Sequence, residues 1–124
     1  MKIIATQQAP QAIGPYSQAI VSDNMLYTSG QIPLDAEGNF VDGDIKVQTK
    51  QVLKNLDAVF RAANTHSANV IKTTVFLANM EDFAAFNEIY AEFFGSHKPA
   101  RSTIAVKTLP KNALVEIECI AKID

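Results

Sequence analysis

Much that would carry familiar chemistry is missing from this sequence. It has one cysteine, Cys119, and two histidines, His66 and His97. A lone cysteine cannot close an internal disulfide, which suits a reducing compartment. No Cys/His pair stands at metal-ligand spacing. Each histidine follows a predicted helix, where the residue more often answers the helix dipole or faces solvent, so no metal is expected. There is no glycine-rich phosphate loop and no Ser-His-Asp pattern with a nucleophile elbow, so phosphoryl and acyl transfer lose their usual supports. Long apolar runs are missing too. After Met1-Lys2 the only apolar stretch is Ile3-Ile4-Ala5, too short for a signal-peptide core or a membrane span, and the expectation is an unexported, cytoplasmic protein with no membrane partner. Charge of one sign is not in excess: 11 basic against 13 acidic residues leave a net charge of -2. That balance offers no electrostatic footprint for nucleic acid.

What is present reads as one folded unit spanning residues 1–124. Hydrophobic residues make up 48% and charged residues 19%, an ordinary globular balance, and no repeat or flexible linker divides the chain. Ser17 to Val21 and Met25 to Ser29 read as a hairpin around Ser22-Asp23-Asn24, and Asp35 to Asn39 supplies another turn. After Asp44, a suitable N-cap, Ile45, Val52, Leu56, Val59, Phe60 and Ala63 recur at helical spacing. Val70 to Leu77 reads as a strand buried on both faces. Phe83, Phe86, Ile89, Tyr90 and Phe93-Phe94 form a second helical stripe closed by Gly95. Ser102 to Lys107 and Leu114 to Ile123 return to strand. In the last of these Val115, Ile117, Cys119, Ala121 and Ile123 share one face, and Glu116, Glu118 and Lys122 the other. The parity of Cys119 favours an inert buried thiol over a nucleophile.

Two amphipathic helices can cover one face of a sheet of about five or six strands, so an α/β chain of the α+β type is expected. The other face is left to meet water or a second copy. The mixed pattern around Glu116 favours a homo-oligomer with polar residues, and therefore ligand clefts, near its seams.

Among the polar residues Arg101 draws most interest. It follows Pro99 at a loop-to-strand junction, where a stiff backbone can aim a planar guanidinium at a carboxylate. Alone it reads more readily as a surface arginine in an ion pair than as a ligand anchor. Its neighbours add more. Gly14-Pro15-Tyr16-Ser17-Gln18-Ala19, Ser29-Gly30-Gln31-Ile32-Pro33, Pro99-Ala100-Arg101-Ser102, and Leu109-Pro110-Lys111 through Val115-Glu116-Ile117-Glu118 follow in an order and spacing that resembles the RidA family, the reactive-intermediate deaminases also called YjgF proteins. Asn79-Met80 followed by Phe83, Asn87 and Tyr90 fits the same pattern, so the resemblance spans nearly the whole chain.

The resemblance implies a chorismate-mutase-like fold, a mixed sheet of about six strands with two helices on one face, assembling as a homotrimer around a central barrel with sites at subunit interfaces. It implies hydrolysis of 2-imino acids, the enamine/imine products of pyridoxal-phosphate enzymes such as threonine dehydratase, to 2-keto acids and ammonia, without a cofactor. Arg101 would hold the carboxylate and Glu116 would move the proton. Ser29, the Gly30 backbone or Thr103 would orient the remaining polar atoms, Tyr16 would close over the substrate or donate a hydrogen bond, and Asn87 would support the pocket. Many relatives have cysteine where this chain has Thr103, which bears on substrate preference and redox sensitivity. Two other functions have been attached to such proteins: a regulatory module that senses a small keto acid or docks on another protein, and an endoribonuclease or translation inhibitor. The acidic balance disfavours the last.

Overall fold

The computed structural model describes residues 1–124. Six strands form one sheet: β1 (Lys2–Ile4), β2 (Ala19–Ser22), β3 (Met25–Thr28), β4 (Val70–Leu77), β5 (Ala100–Ala105) and β6 (Val115–Lys122), in the spatial order β1-β2-β3-β6-β4-β5. All neighbours are antiparallel except β4 and β5, whose parallel pairing requires a crossover. Helix α2 (Phe83–Phe94) supplies it, and α1 (Ile45–Ala62) packs beside α2 on the same face.

Local chemistry accounts for the punctuation. The β2–β3 hairpin turns through Asp23 and Asn24, both at positive φ (50° and 63°), the pair of left-handed residues a two-residue primed turn needs. The Asp44 side chain caps α1 by accepting from the Val47 amide at 2.9 Å. Gly95 ends α2 at φ 63° with its amide on the Ala91 carbonyl. These features match the expected turn and caps.

The core is one cluster of 22 buried residues between the helices and one sheet face. Phe60 of α1 and Phe86 of α2 are wholly buried, each worth roughly 1.5–3 kcal/mol of apolar transfer. Cys119 joins this cluster at 2% exposure, and burial, aided by the Glu118 charge, pushes its thiol pKa up, so it forms no thiolate.

Two expectations change, and one strand is new. Strand β1 lies at the sheet edge with only Ile4 buried, so its three residues carry no alternation strong enough to read. Strand β4 is not buried on both faces: Val70, Thr73, Val75 and Leu77 face the core, whereas Ile71 is exposed and Thr74 and Phe76 half-buried. Its apolar composition instead makes the open face partly apolar. And Arg101 lies within β5, not before it, because that strand begins at Ala100. The open face bears Ile3, Tyr27 and Ile104, exposed by 67%, 46% and 47%. No helix is long and apolar enough to cross a membrane.

Candidate functional site

The strand register decides which face each polar residue occupies. Cys119, Thr73 and Arg101 pair in one row across β6, β4 and β5, and Ile117, Val75 and Thr103 form the next row on the same face. Arg101 and Thr103 therefore share the helix-covered face with the core. Glu116 pairs with Phe76, which pairs with Ile104, and this row lies on the open face.

Around Arg101 the walls come from α2. Phe83, Asn87 and Tyr90 stand at i, i+4 and i+7, one stripe of the helix. The Nη1 of Arg101 donates to Asn87 Oδ1 at 2.7 Å. Its guanidinium carbon lies 4.7 Å from the Tyr90 ring centroid and 5.3 Å from that of Phe83, close enough for cation–π attraction to both. Tyr90 shares a 2.7 Å hydrogen bond with Thr73. Burial pushes the Tyr90 phenol pKa up against the opposing pull of that bond and of the Arg101 charge, so it stays neutral at physiological pH. A cavity of about 360 Å³ opens here between Arg101, Asn87, Tyr90, Gly95 and His97. Further along β5, the Thr103 hydroxyl is buried with no hydrogen-bond partner.

Glu116 sits in a second cavity, of about 340 Å³, with Tyr16, Ser29, Gly30, Gln31 and Pro110. The chain from Ser29 to Gln31 runs against β6, where Gln31 and Ile117 exchange backbone bonds of 2.9 and 3.2 Å. This approach presses Gly30 onto Glu116: a Cβ at Gly30 would stand 2.0 Å from Glu116 Oε2. Only glycine leaves the carboxylate its place. Burial, aided by repulsion from Glu118, pushes the Glu116 pKa above its ordinary value. Ser29 Oγ donates to the Ser17 carbonyl at 2.6 Å and so ties the strand end to the Tyr16 loop. The Tyr16 ring is 54% exposed.

The predicted residues thus fall into two halves. Arg101, Asn87 and Thr103 lie on the helix side at the sheet edge; Glu116, Gly30, Ser29 and Tyr16 lie on or beside the open face. Between Arg101 and Glu116 stand two strand spacings and three residues of rise, which puts their Cα atoms about 14 Å apart on opposite faces. One chain does not bring these two groups onto one small substrate.

Residues absent from the expected set also shape the halves. Tyr90 and Phe83 back Arg101, and their spacing with Asn87 was the available signal. Gln18, 4% exposed, accepts from the Thr6 amide and donates to the carbonyls of Thr6 and Pro10, pinning the segment whose Pro10 lines the Glu116 cavity. Its bonds span sequence separations of 8 and 12 and leave no local trace.

Comparison with known proteins adds a family. The model of the family described as endoribonuclease L-PSP matches residues 6–123. The chain is 54% identical to a RutC family protein of Pyrococcus horikoshii over 97% of its length and 96% of the relative's. To the human 2-iminobutanoate/2-iminopropanoate deaminase it is 46% identical, over 97% of this chain and 88% of that one. Its fold superposes on the crystal structure of E. coli TdcF with bound serine at a TM-score of 0.95 and 42% identity, covering 100% of both chains. The matched span and the shared fold settle the grouping: the chain belongs to the endoribonuclease L-PSP family, the same family as the YjgF and RidA proteins.

Proposed function

We propose that this protein is an enamine/imine deaminase that hydrolyses 2-imino acids to 2-keto acids and ammonia, in a site completed between two copies of the chain. One observation carries the reading: a guanidinium backed by two rings and held along one edge by Asn87 is matched, on a different face, by a carboxylate whose pKa burial raises. The deaminase name of the human relative supports it.

The chemistry follows from the two halves. The guanidinium edge left free by Asn87 takes the substrate carboxylate in parallel bonds and fixes the C=N carbon. Glu116 accepts a proton from water as its oxygen bonds to that carbon. It returns the proton to the nitrogen to give a carbinolamine, then takes the hydroxyl proton and delivers it to the amine, so that the C–N bond breaks and ammonia leaves as the keto group forms. A raised pKa suits a group that must both take and give a proton. Tyr16, Ser29 and the Gly30 backbone line the Glu116 side, and Thr103 presents its unpartnered hydroxyl on the Arg101 side. The substrate reaches the site from a pyridoxal-phosphate dehydratase in the cytoplasm.

The distance between Arg101 and Glu116 requires Arg101 of one copy to meet Glu116 of another, and the partly apolar open face supplies a surface for that contact; a closed homotrimer satisfies both. The test is direct. A dehydratase generates 2-aminocrotonate, and keto-acid release is followed with and without the protein. Wild type accelerates release; Arg101→Ala and Glu116→Gln do not. Mixing the two variants through a dissociation and reassembly cycle restores about a quarter of wild-type activity, the statistical share of interfaces with both groups intact. No recovery on mixing, or a monomer by light scattering, removes the shared site. Tight keto-acid binding without acceleration would replace the enzyme with a ligand-sensing module. The endoribonuclease of the family's name meets a net charge of -2, which repels a polyanion.

A further inference from the structure

An arginine on an edge strand has no neighbouring strand on its outer side to confine it, yet a fork that makes two parallel bonds to a carboxylate must be fixed in plane. In this chain the confinement comes from α2, and one of its residues is itself anchored. Tyr90 is 7% exposed, packed along the helix between Phe86 (ring centroids 5.4 Å apart) and Phe94 (4.7 Å). Its hydroxyl bonds to Thr73, which is wholly buried and is the cross-strand neighbour of Arg101. The strand beside Arg101 therefore pins the ring against which the Arg101 guanidinium rests. Phe83 also contacts the guanidinium but has no polar handle to fix it. A buried phenol costs stability unless its hydroxyl is bonded. Its bond to the residue next to Arg101 gives the tyrosine a purpose that phenylalanine would not serve.

We infer that Tyr90 is a positioning residue for carboxylate recognition: pinned by Thr73, its ring sets the plane of the Arg101 guanidinium and so governs substrate affinity. The inference rests on the deaminase reading and deepens it. Tyr90 takes no part in moving the proton, so its loss acts on KM and spares kcat.

The chain has two arginines, Arg61 and Arg101, so the Arg101 Nε–H signal can be followed by NMR in the whole protein. In wild type the Tyr90 ring current shifts it upfield. Tyr90→Leu removes the larger part of that shift, leaving the share of the more distant Phe83 ring, and raises KM about tenfold, the scale of a desolvated cation–π contact, with kcat within about threefold. Tyr90→Phe keeps the ring and recovers most of the loss. Thr73→Val and Tyr90→Phe each raise KM about two- to threefold, and the double variant matches either single one because the two groups share one bond. An unshifted Arg101 signal in wild type, an unchanged KM in Tyr90→Leu, or additive effects of Thr73→Val and Tyr90→Phe overturns the inference. Should Tyr90→Leu fail to fold, the Thr73→Val and Tyr90→Phe pair and the wild-type signal decide it. If wild type deaminates nothing, the functional reading fails, while the NMR signal still judges the platform. If wild type is active and Tyr90→Leu shares its KM, only the platform fails.

Discussion

Arg101 reaches its place from an edge strand and is held by side chains of α2, whereas Glu116 lies on a strand in the middle of the sheet and is placed by how closely a glycine lets the backbone approach. The first half is rigid through added contacts: an amide on one edge of the guanidinium and two rings near it. The second is tuned by removal, since the missing Cβ at Gly30 makes room for a carboxylate that has lost part of its water. The difference matches the work proposed for each. A carboxylate anchor needs orientation and keeps its charge at every relevant pH; an acid-base group needs a movable pKa and room for water.

The sharpest test of this contrast is Glu116→Gln. Activity should fall by about 10²- to 10⁴-fold, the usual worth of a positioned acid-base group, with keto-acid affinity retained because Arg101 is untouched. Stability should move the other way. The folded-state pKa of Glu116 lies above its unfolded value, so the group favours folding when protonated, and that contribution is lost as pH rises through the folded pKa. At neutral pH the variant should therefore melt higher than wild type. The gap should close as pH falls below the unfolded carboxylate value of about 4.3. A variant that melts lower at pH 7 would mean that the carboxylate is stabilised there by a partner group. The rate of wild type should likewise fall on the acid side at a pH above the ordinary glutamate value.

Gly30→Ala breaks the Glu116 half without touching its charge. A methyl group 2.0 Å from Oε2 forces the carboxylate aside, and because it is the end of a flexible side chain the fold should survive. Activity should drop by about tenfold or more through lost alignment, and the acid limb of the pH profile should move as the carboxylate enters a new environment. Unaltered kinetics would place the reacting carbon away from Glu116.

The sequence carried the two halves unequally. Strand parity alone put Glu116 and Cys119 on opposite faces of the last strand, and the register agrees, because alternation is local. That Arg101 shares the face of Cys119 depends on the parallel pairing of β4 with β5, a contact made across α2 that no local pattern records. The split between Arg101 and Glu116 follows from that pairing, which explains why individual residues were legible and their separation was not. The hairpin turn and the caps of both helices were legible because Asp23-Asn24, Asp44 and Gly95 act on their own neighbours. Burial of β4 was misread because its Ile71 and Phe76 look like core residues in sequence but lie on a face that this chain leaves open. Gln18 is legible as part of the Gly14–Ala19 motif but its pinning role is not, because a glutamine that bonds backbone groups 8 and 12 residues away resembles any other in sequence.

Thr103 gives the smallest expected effect and tests whether the Arg101 half extends along its strand. Its hydroxyl is buried and unpartnered in the single chain, and such a group costs roughly 1–3 kcal/mol unless something bonds to it. Thr103→Val keeps the shape and removes the hydroxyl. If a ligand supplies the missing partner, the variant should melt a few degrees higher when free and bind keto acid or turn over imine a few-fold less well. Thr103→Ser, which keeps the hydroxyl and drops the methyl, should retain ligand affinity and gain no stability. Calorimetry on the free and keto-acid-bound forms of both variants separates the two contributions. Equal ligand affinity in Thr103→Val and wild type would confine the Arg101 half to Arg101 and the α2 side chains around it, and would assign the orphan hydroxyl to the contact between copies.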